Sequence, residues 1–79
     1  MDVGDRIAHW RKARGWTQAE LAERVGVSAP AVYQWEGSKK IEKITPSTAS
    51  IFAVAKACGV TMEQFYGPLP KLPRQAKAS

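Results

Sequence analysis

The segment SAPAVYQWE, residues 28–36, carries the side chains whose types and spacing have the clearest chemical use. On a helix that turns about 100° per residue, Val32 and Trp35 lie on one side, which we expect to be buried. The opposite face holds uncharged side chains: Ala29 at its margin, Pro30, Tyr33 and Gln34. A purely solvated face is expected to carry Lys and Glu instead. Small, amide and phenol groups suit close contact and hydrogen bonding with a second surface.

The sequence offers no set of residues for catalysis or for holding a metal ion. It has one histidine, His9, and one cysteine, Cys58, too few for a usual all-protein zinc site. It contains no nucleophile–base–orienter set and no glycine loop that would cradle phosphate. We therefore expect no enzymatic activity, no cofactor and no metal. A lone cysteine also excludes an internal disulfide and fits a reducing compartment.

Length and charge indicate one small domain with a polyanionic partner. The chain has 79 residues, of which 12 are basic and 7 acidic, and its net charge is +5. Residues 1–37 carry five basic and five acidic side chains, whereas residues 38–79 carry seven basic and two acidic ones. Such an excess favours nucleic acid. Because no apolar run reaches the ~20 residues that span a membrane and the N-terminus lacks a secretory pattern, we expect no membrane partner and a cytoplasmic location.

Hydrophobic periodicity and capping residues predict an all-α fold with five helices. The first covers residues 5–14. The second opens with a capping box, Thr17 with Glu20, and ends at Gly26. Only the stretch GVS joins it to the third helix, for which Ser28 is the expected cap.

Two further helices are predicted in the C-terminal half. Thr45 as cap and Pro46 at the first helical position open the fourth. A second capping-box pattern, Thr61 with Gln64, opens the fifth.

The tight connection before the third helix predicts that it forms one rigid unit with the second. An α-helix fits the major groove of B-DNA. A helix-turn-helix holds its second helix in that groove while its first crosses the backbone. The uncharged face of the third helix is therefore predicted to contact DNA.

The stretch TQAELAERVGVSAPAVYQWE, residues 17–36, resembles the helix-turn-helix of the lambda-repressor-like (Cro and XRE) family. The residues that match the family are Gln18, LA at 21–22, GVS at 26–28, Val32, and WE at 35–36. The segments AVAKACGV and MEQFYG resemble the family's fourth and fifth helices, and the lysine-bearing loop is similar to that of lambdoid phage repressors. The resemblance implies a compact five-helix domain over residues 1–67, and we interpret residues 68–79 as a Pro-rich basic flexible tail.

The resemblance also implies roles for individual residues. Gln18 would contact a phosphate through its side chain and the first amides of the second helix. Ala29, Pro30 and Gln34 occupy the family's base-reading positions. Gln34 can pair bidentately with adenine, while Ala29 and Pro30 can pack on thymine methyl groups. Because family members often carry polar residues at positions 29 and 30, more of the specificity here falls to DNA shape.

The implied function is a sequence-specific double-stranded DNA-binding transcriptional regulator, a repressor of phage or prophage type. Three lysines of the loop are expected to grip phosphates, and a serine and a tyrosine to add hydrogen bonds. The predicted DNA-binding residues are Thr17, Gln18, Ser28, Ala29, Pro30, Tyr33, Gln34, Lys39, Lys40 and Lys43. The alternative is an antitoxin-type DNA-binding protein that also neutralises a partner protein.

A homodimer on a palindromic operator is expected, because one recognition helix contacts only a few base pairs. Two placements of Phe65, Tyr66 and Leu69 stay open: a dimer surface, or packing that completes the monomer core. The resemblance aligns Arg11 and Glu36 with a pair that bridges the first helix to the end of the third. The three tryptophans are expected in the core rather than as a stacking platform for bases, and the histidine at the surface.

Overall fold

The structure is a computed structural model that describes residues 1–72. Its helices are α1 (Val3–Ala13), α2 (Gln18–Val25), α3 (Ala29–Glu36), α4 (Thr48–Cys58) and α5 (Met62–Tyr66). This part of the chain contains no strand, so the predicted five-helix architecture is confirmed. Every helix within it is too short or too polar to cross a bilayer. The rest of the predicted tail, residues 73–79, lies outside the described residues.

Three helices begin with a reciprocal capping box, two of them at the predicted residues, Thr17 and Thr61. At the first, the Thr17 hydroxyl accepts from the Glu20 amide at 3.1 Å, and the Glu20 carboxylate accepts from the Thr17 amide at 2.7 Å. The third box, Asp2 with Asp5, was not predicted. Asp5 is therefore the third residue of α1 rather than its first, and α1 begins two positions earlier than expected.

The predicted start of α4 at Thr45 and Pro46 is wrong. Ser47 is the cap, and its hydroxyl accepts a hydrogen bond from the Ser50 amide at 3.1 Å. Pro46 precedes the helix and is buried. Thr45 and Ser47 are both good capping residues only two positions apart, and burial of the proline ring accompanies the later start.

Ser28 occupies the cap position of α3, but its side chain makes no capping hydrogen bond. Pro30 has no N–H to be capped, and the Ala31 amide donates to the Ser28 carbonyl oxygen at 3.1 Å. The main chain thus satisfies the Ala31 amide, and the Ser28 hydroxyl does not serve as a cap.

One core takes side chains from all five helices: Ile7, Trp10, Leu21, Ala22, Val32, Trp35, Ile51, Val54, Ala55, Cys58 and Phe65. Trp16 packs against it, so the predicted placement of the tryptophans is confirmed. Phe65 is fully buried and Leu69 packs on the core, whereas Tyr66 stays 46% exposed. Of the two open placements of these three residues, the monomer core therefore takes Phe65 and Leu69.

Donors from α1 hold the end of α5 and the chain that follows it. Arg6 Nη1 and Trp10 Nε1 both donate to the Phe65 carbonyl oxygen, each at 3.1 Å. His9 Nε2 lies 2.6 Å from the Pro70 carbonyl oxygen. His9, expected at the surface, is instead half-buried under this segment. The first residues of the predicted tail thus contact the domain.

Gly4 lets α1 approach the end of α3. A β-carbon at this buried position would overlap the carbonyl oxygen of Trp35, which is main chain and cannot rotate away. Only a residue without a side chain fits there without moving one helix.

We predict that Gly4→Ala lowers the free energy of unfolding by about 1–3 kcal/mol, the usual cost of overpacking, although alanine favours a helix by up to about 1 kcal/mol. Urea titration monitored by circular dichroism measures this change. Gly67→Ala is the comparison, because its added carbon would be close to the Glu63 carbonyl oxygen, at 3.2 Å, without overlapping it, and its φ of −82° suits any residue, so its effect should be smaller. Equal, small effects of both substitutions would contradict a close contact at Gly4.

Candidate nucleic-acid interface

The connection between α2 and α3 is a tight turn built on a left-handed glycine. Gly26 has φ 87° and ψ 33°, and its amide donates to the Ala22 carbonyl oxygen at 2.8 Å. The Val27 amide donates to the same oxygen at 3.0 Å, and its side chain packs on the core. Two bonds to one carbonyl and a packed side chain restrict the turn, so α3 has a fixed direction relative to α2.

α3 buries one face and exposes the other, as predicted. Val32 and Trp35 are buried. On the other face, Pro30 and Gln34 are exposed, and Ala29 and Tyr33 are half-buried. Glu36 is the one charged residue of α3 and lies at its last position, where it is paired. The outward face is therefore free of charge and can come close to another surface.

Arg11 and Glu36 form the most buried ion pair in the described part of the chain, with side chains 12% and 8% exposed. Arg11 Nε donates to Glu36 Oε2 at 2.8 Å, and Nη2 donates to Oε1 at 3.0 Å, the bidentate arrangement that makes such pairs strong. Arg11 Nη1 also donates to the Trp16 carbonyl oxygen at 2.8 Å. The pair implied by the resemblance is present and joins α1, α3 and the chain before α2.

Gln18, at the start of α2, is tied to the same carboxylate. Its Nε2 donates to Glu36 Oε1 at 3.0 Å. The bond turns the amide nitrogen towards the carboxylate, and it leaves the second N–H and the amide oxygen for other partners. An open cleft of about 250 Å³ lies between the start of α2 and the loop after α3, lined by Gln18, Tyr33, Gly37, Ser38 and Ile41.

The loop after α3 presents two lysines to solvent. Lys39 and Lys40 are exposed, and neither takes part in an ion pair within residues 1–72. Ser38 shapes this loop: its amide donates to the Ile41 carbonyl oxygen at 2.9 Å, and its hydroxyl accepts from the Lys40 amide at 3.2 Å. Both ammonium groups thus project from an ordered turn next to the end of α3.

Lys43 lies further along the loop and is placed differently. Its Nζ is 2.9 Å from Asp2 Oδ2 and 3.1 Å from Asp5 Oδ1. Hydrogen bonds to Asp2 and then to Asp5 raise the pKa of Lys43, while the Asp5 amide and then Lys43 lower the pKa of Asp2. The pairs are exposed, so they add little stability. A phosphate bound by Lys43 would have to compete with two carboxylates.

In the described part of the chain, neither the cysteine nor the possible metal-ligating side chains form a second site beside this surface. Cys58 is buried in the core, and burial raises the pKa of its thiol. Within residues 1–72, no three His, Cys, Asp or Glu side chains gather around a common point that could hold a metal ion. Cys58 is thus a core residue.

Sequence reasoning missed two contacts that shape this surface. The first is the bond from Gln18 to Glu36; its one hint was the implied pair with Arg11, which puts Glu36 near the start of α2. The second is the contact of Lys43 with the two N-terminal aspartates. No pattern in the sequence indicates this contact, because the residues are far apart in the chain and meet only in the folded protein.

A model of the helix-turn-helix family matches residues 7–65. Among solved structures, the DNA-binding domain of the P22 c2 repressor has 32% identity and a TM-score of 0.69, covering 82% of this chain and 80% of that one. The P22 c2 repressor in complex with synthetic operator 9T has 32% identity and a TM-score of 0.66, covering 82% and 92%. The predicted lambda-repressor-like fold is therefore confirmed. No match was found among curated protein sequences.

A third similar structure is the complex of SinR protein and SinI protein, with 26% identity and a TM-score of 0.67. The match covers 82% of this chain and 60% of that one, so this chain spans less than two thirds of it. None of these matches favours the antitoxin-type alternative.

We predict that Glu36→Ala lowers the free energy of unfolding by about 3 kcal/mol, because it leaves the Arg11 guanidinium buried without its partner. Differential scanning calorimetry or urea titration measures the loss. Glu23→Ala is the control: Glu23 is exposed and forms no ion pair in the described residues. Its removal should change stability by no more than about 0.5 kcal/mol. A melting temperature for Glu36→Ala equal to that of the wild type would contradict the buried pair.

Proposed function

This chain belongs to the helix-turn-helix family, of the Cro and XRE type, and on that premise we propose that it is a sequence-specific double-stranded DNA-binding transcriptional regulator. Its role is that of a repressor of phage or prophage type, with α3 in the major groove. It acts where the DNA is, in the cytoplasm of a bacterial or phage-infected cell. The resemblance to an operator-bound repressor at 32% identity supports this proposal.

The observation that carries the proposal is the uncharged outward face of α3, held rigidly beside the start of α2. An uncharged helix face can enter the groove between two rows of phosphates and use its groups on base edges. The tight turn at Gly26 and the bond from Gln18 to Glu36 fix that face relative to α2. Phosphate contacts position the protein on the duplex, and base contacts read its sequence. In this arrangement both kinds of contact come from neighbouring parts of one rigid surface.

Base reading is assigned to the side chains on the outward face of α3, of which Pro30 and Gln34 are exposed and Ala29 and Tyr33 are half-buried. Gln34 offers an amide oxygen and an amide nitrogen, the pair that matches the edge of adenine. Pro30 and Ala29 supply apolar contact for thymine methyl groups. Tyr33 and the Ser28 hydroxyl, which does not cap α3, add hydrogen bonds.

Phosphate contacts are assigned to the start of α2 and to the loop after α3. Thr17 and Gln18 lie at the positive end of the α2 dipole, where an anion is stabilised. Because Glu36 already takes one Nε2 hydrogen of Gln18, the second hydrogen is the one proposed to donate to a phosphate. Lys39 and Lys40 supply the loop contacts, and Lys43 joins them only where a phosphate displaces its carboxylate partners.

Assembly is proposed as a two-fold homodimer on a palindromic operator. One recognition helix covers too few base pairs to select a site in a genome, and a second helix one turn away on the same face of the DNA doubles the contact. With Phe65 and Leu69 packed in the protomer, Tyr66 is the exposed apolar side chain that α5 offers to such a contact.

Selection of bound duplexes from a random pool tests this function. We expect a palindromic consensus with half-sites about one helical turn apart, roughly 34–36 Å. The full palindrome and the same duplex with one scrambled half are then titrated by fluorescence anisotropy. Cooperative binding of two protomers to the first, and much weaker binding to the second, is the expected result. A pool without any consensus would contradict sequence-specific binding, and equal affinity for both duplexes, with one protomer on each, would contradict the dimer alone.

Two substitutions separate base reading from phosphate contact. Gln34→Ala should cost about 1–3 kcal/mol on the preferred site and relax one base position. Lys40→Ala should weaken binding to all sequences alike and lower the slope of log K against log salt by about 1. Anisotropy titrations at several salt concentrations, on the preferred duplex and on a scrambled one, measure both effects. An equal loss on both duplexes for Gln34→Ala would remove Gln34 from the base readers.

A further inference from the structure

The outward face of α4 is mostly apolar although it is exposed. The helix TASIFAVAKAC has one charged residue, Lys56. Its inner face is in the core, and its outer face carries the polar Thr48 and Lys56 together with Ala49, Phe52, Ala53 and Ala57. Phe52 is 52% exposed. An exposed aromatic side chain among other apolar residues is typical of a contact surface, and no element of the described chain covers this side of Phe52.

A groove of about 360 Å³ lies between this face and the C-terminal end of α2. It is lined by Arg24, Val25, Ala53, Lys56 and Ala57, and we call it the α2–α4 groove. Three of these side chains are apolar and two are cationic. Its walls thus combine apolar contact area with positive charge, without an acidic residue.

Both cations of the groove are held by aromatic rings. The Arg24 guanidinium carbon lies 4.5 Å from the centre of the Trp16 ring, and Lys56 Nζ lies 5.9 Å from the centre of the Phe52 ring. Neither residue forms an ion pair within residues 1–72. A ring orients a cation without cancelling its charge, so both charges stay available to an anionic group.

We propose that the α2–α4 groove docks an acidic amphipathic helix of a partner protein. Carboxylates of that helix pair with Arg24 and Lys56, and one of its large apolar side chains covers Phe52 and enters the groove. Charge complementarity selects this occupant. A second copy of this chain fits poorly, since a two-fold contact would bring the same cations against each other. A nucleic-acid backbone matches the charge but has no apolar surface for Phe52.

A helix fits this surface better than an extended peptide. A peptide that binds as a β-strand obtains its affinity by pairing with the edge of a sheet, and residues 1–72 contain no strand. A helix satisfies its own backbone hydrogen bonds and presents anchors at i, i+3, i+4 and i+7. It can therefore lie along α4 with one apolar stripe inward and its carboxylates outside.

The groove and the proposed DNA surface use opposite ends of α2. Gln18 is at its start, and Arg24 is at its end, about 9 Å further along the helix axis. The partner helix and a duplex can then bind the same protomer together. This docking does not depend on the proposed regulatory function.

The experiment selects a phage-displayed random library of peptides of about 15 residues, roughly four helical turns, against the full chain. The expected consensus has large apolar residues at helical spacing flanked by Asp or Glu. A synthetic peptide of that sequence is then titrated by fluorescence anisotropy. Phe52→Ala should weaken it by about tenfold or more, the effect of losing an aromatic anchor. The paired change Arg24→Gln and Lys56→Gln should weaken it and reduce its salt dependence.

Ile44→Ala is the matched control, because it removes another half-exposed apolar side chain, 51% exposed, outside the groove. It should bind the peptide as the wild type does, and circular dichroism verifies that each variant is folded. Three results would overturn the proposal: no enrichment, a consensus without acidic residues, or unchanged binding to Phe52→Ala. Displacement of the peptide by duplex DNA would also overturn it, because the two cations would then be nucleic-acid contacts.

Discussion

The buried pair of Arg11 and Glu36 is the interaction on which the arrangement of this protein depends. It connects α1 to the last residue of α3, and its third donor reaches the chain just before α2. The same carboxylate orients Gln18. One largely buried charge pair therefore links α1, α2 and α3. Because it neutralises the one charge of α3, the face beside it can approach a polyanion without repulsion.

The net charge of +5 gives an incomplete picture of where positive potential is available. Of the seven basic residues after position 37, Lys43 sits against two aspartates and Lys56 stacks on Phe52. Two more belong to the segment after residue 72. Lys39 and Lys40 are exposed, form no ion pair within residues 1–72, and are the lysines closest in sequence to α3. The lysines proposed to attract DNA thus lie at one edge of α3, whereas a separate surface between α2 and α4 combines apolar side chains with Arg24 and Lys56.

The features that could be predicted from the sequence are those that depend on residues close together in the chain. The capping boxes at Thr17 and Thr61 and the turn at Gly26 depend on residues five or fewer positions apart, and all were predicted. The prediction for the start of α4 failed because two good capping residues, Thr45 and Ser47, are only two positions apart. The resemblance supplied the fold and the pair of Arg11 with Glu36. The link from Gln18 to that pair and the contacts of Lys43 could not be predicted, because they follow from how separate helices come together.

The capping boxes bear on how the chain folds. Each one joins residues three positions apart, so closing it costs little chain entropy. Helix starts of this kind form early, in a class of folds that reaches its native state within microseconds to milliseconds. The bond from Arg11 to Glu36 spans 25 positions, and the one from Trp10 to Phe65 spans 55. The local caps are therefore expected to close before the helices take their mutual orientation, and the surface around Gln18, whose bond to Glu36 spans 18 positions, acquires its geometry only when α2 and α3 pack together.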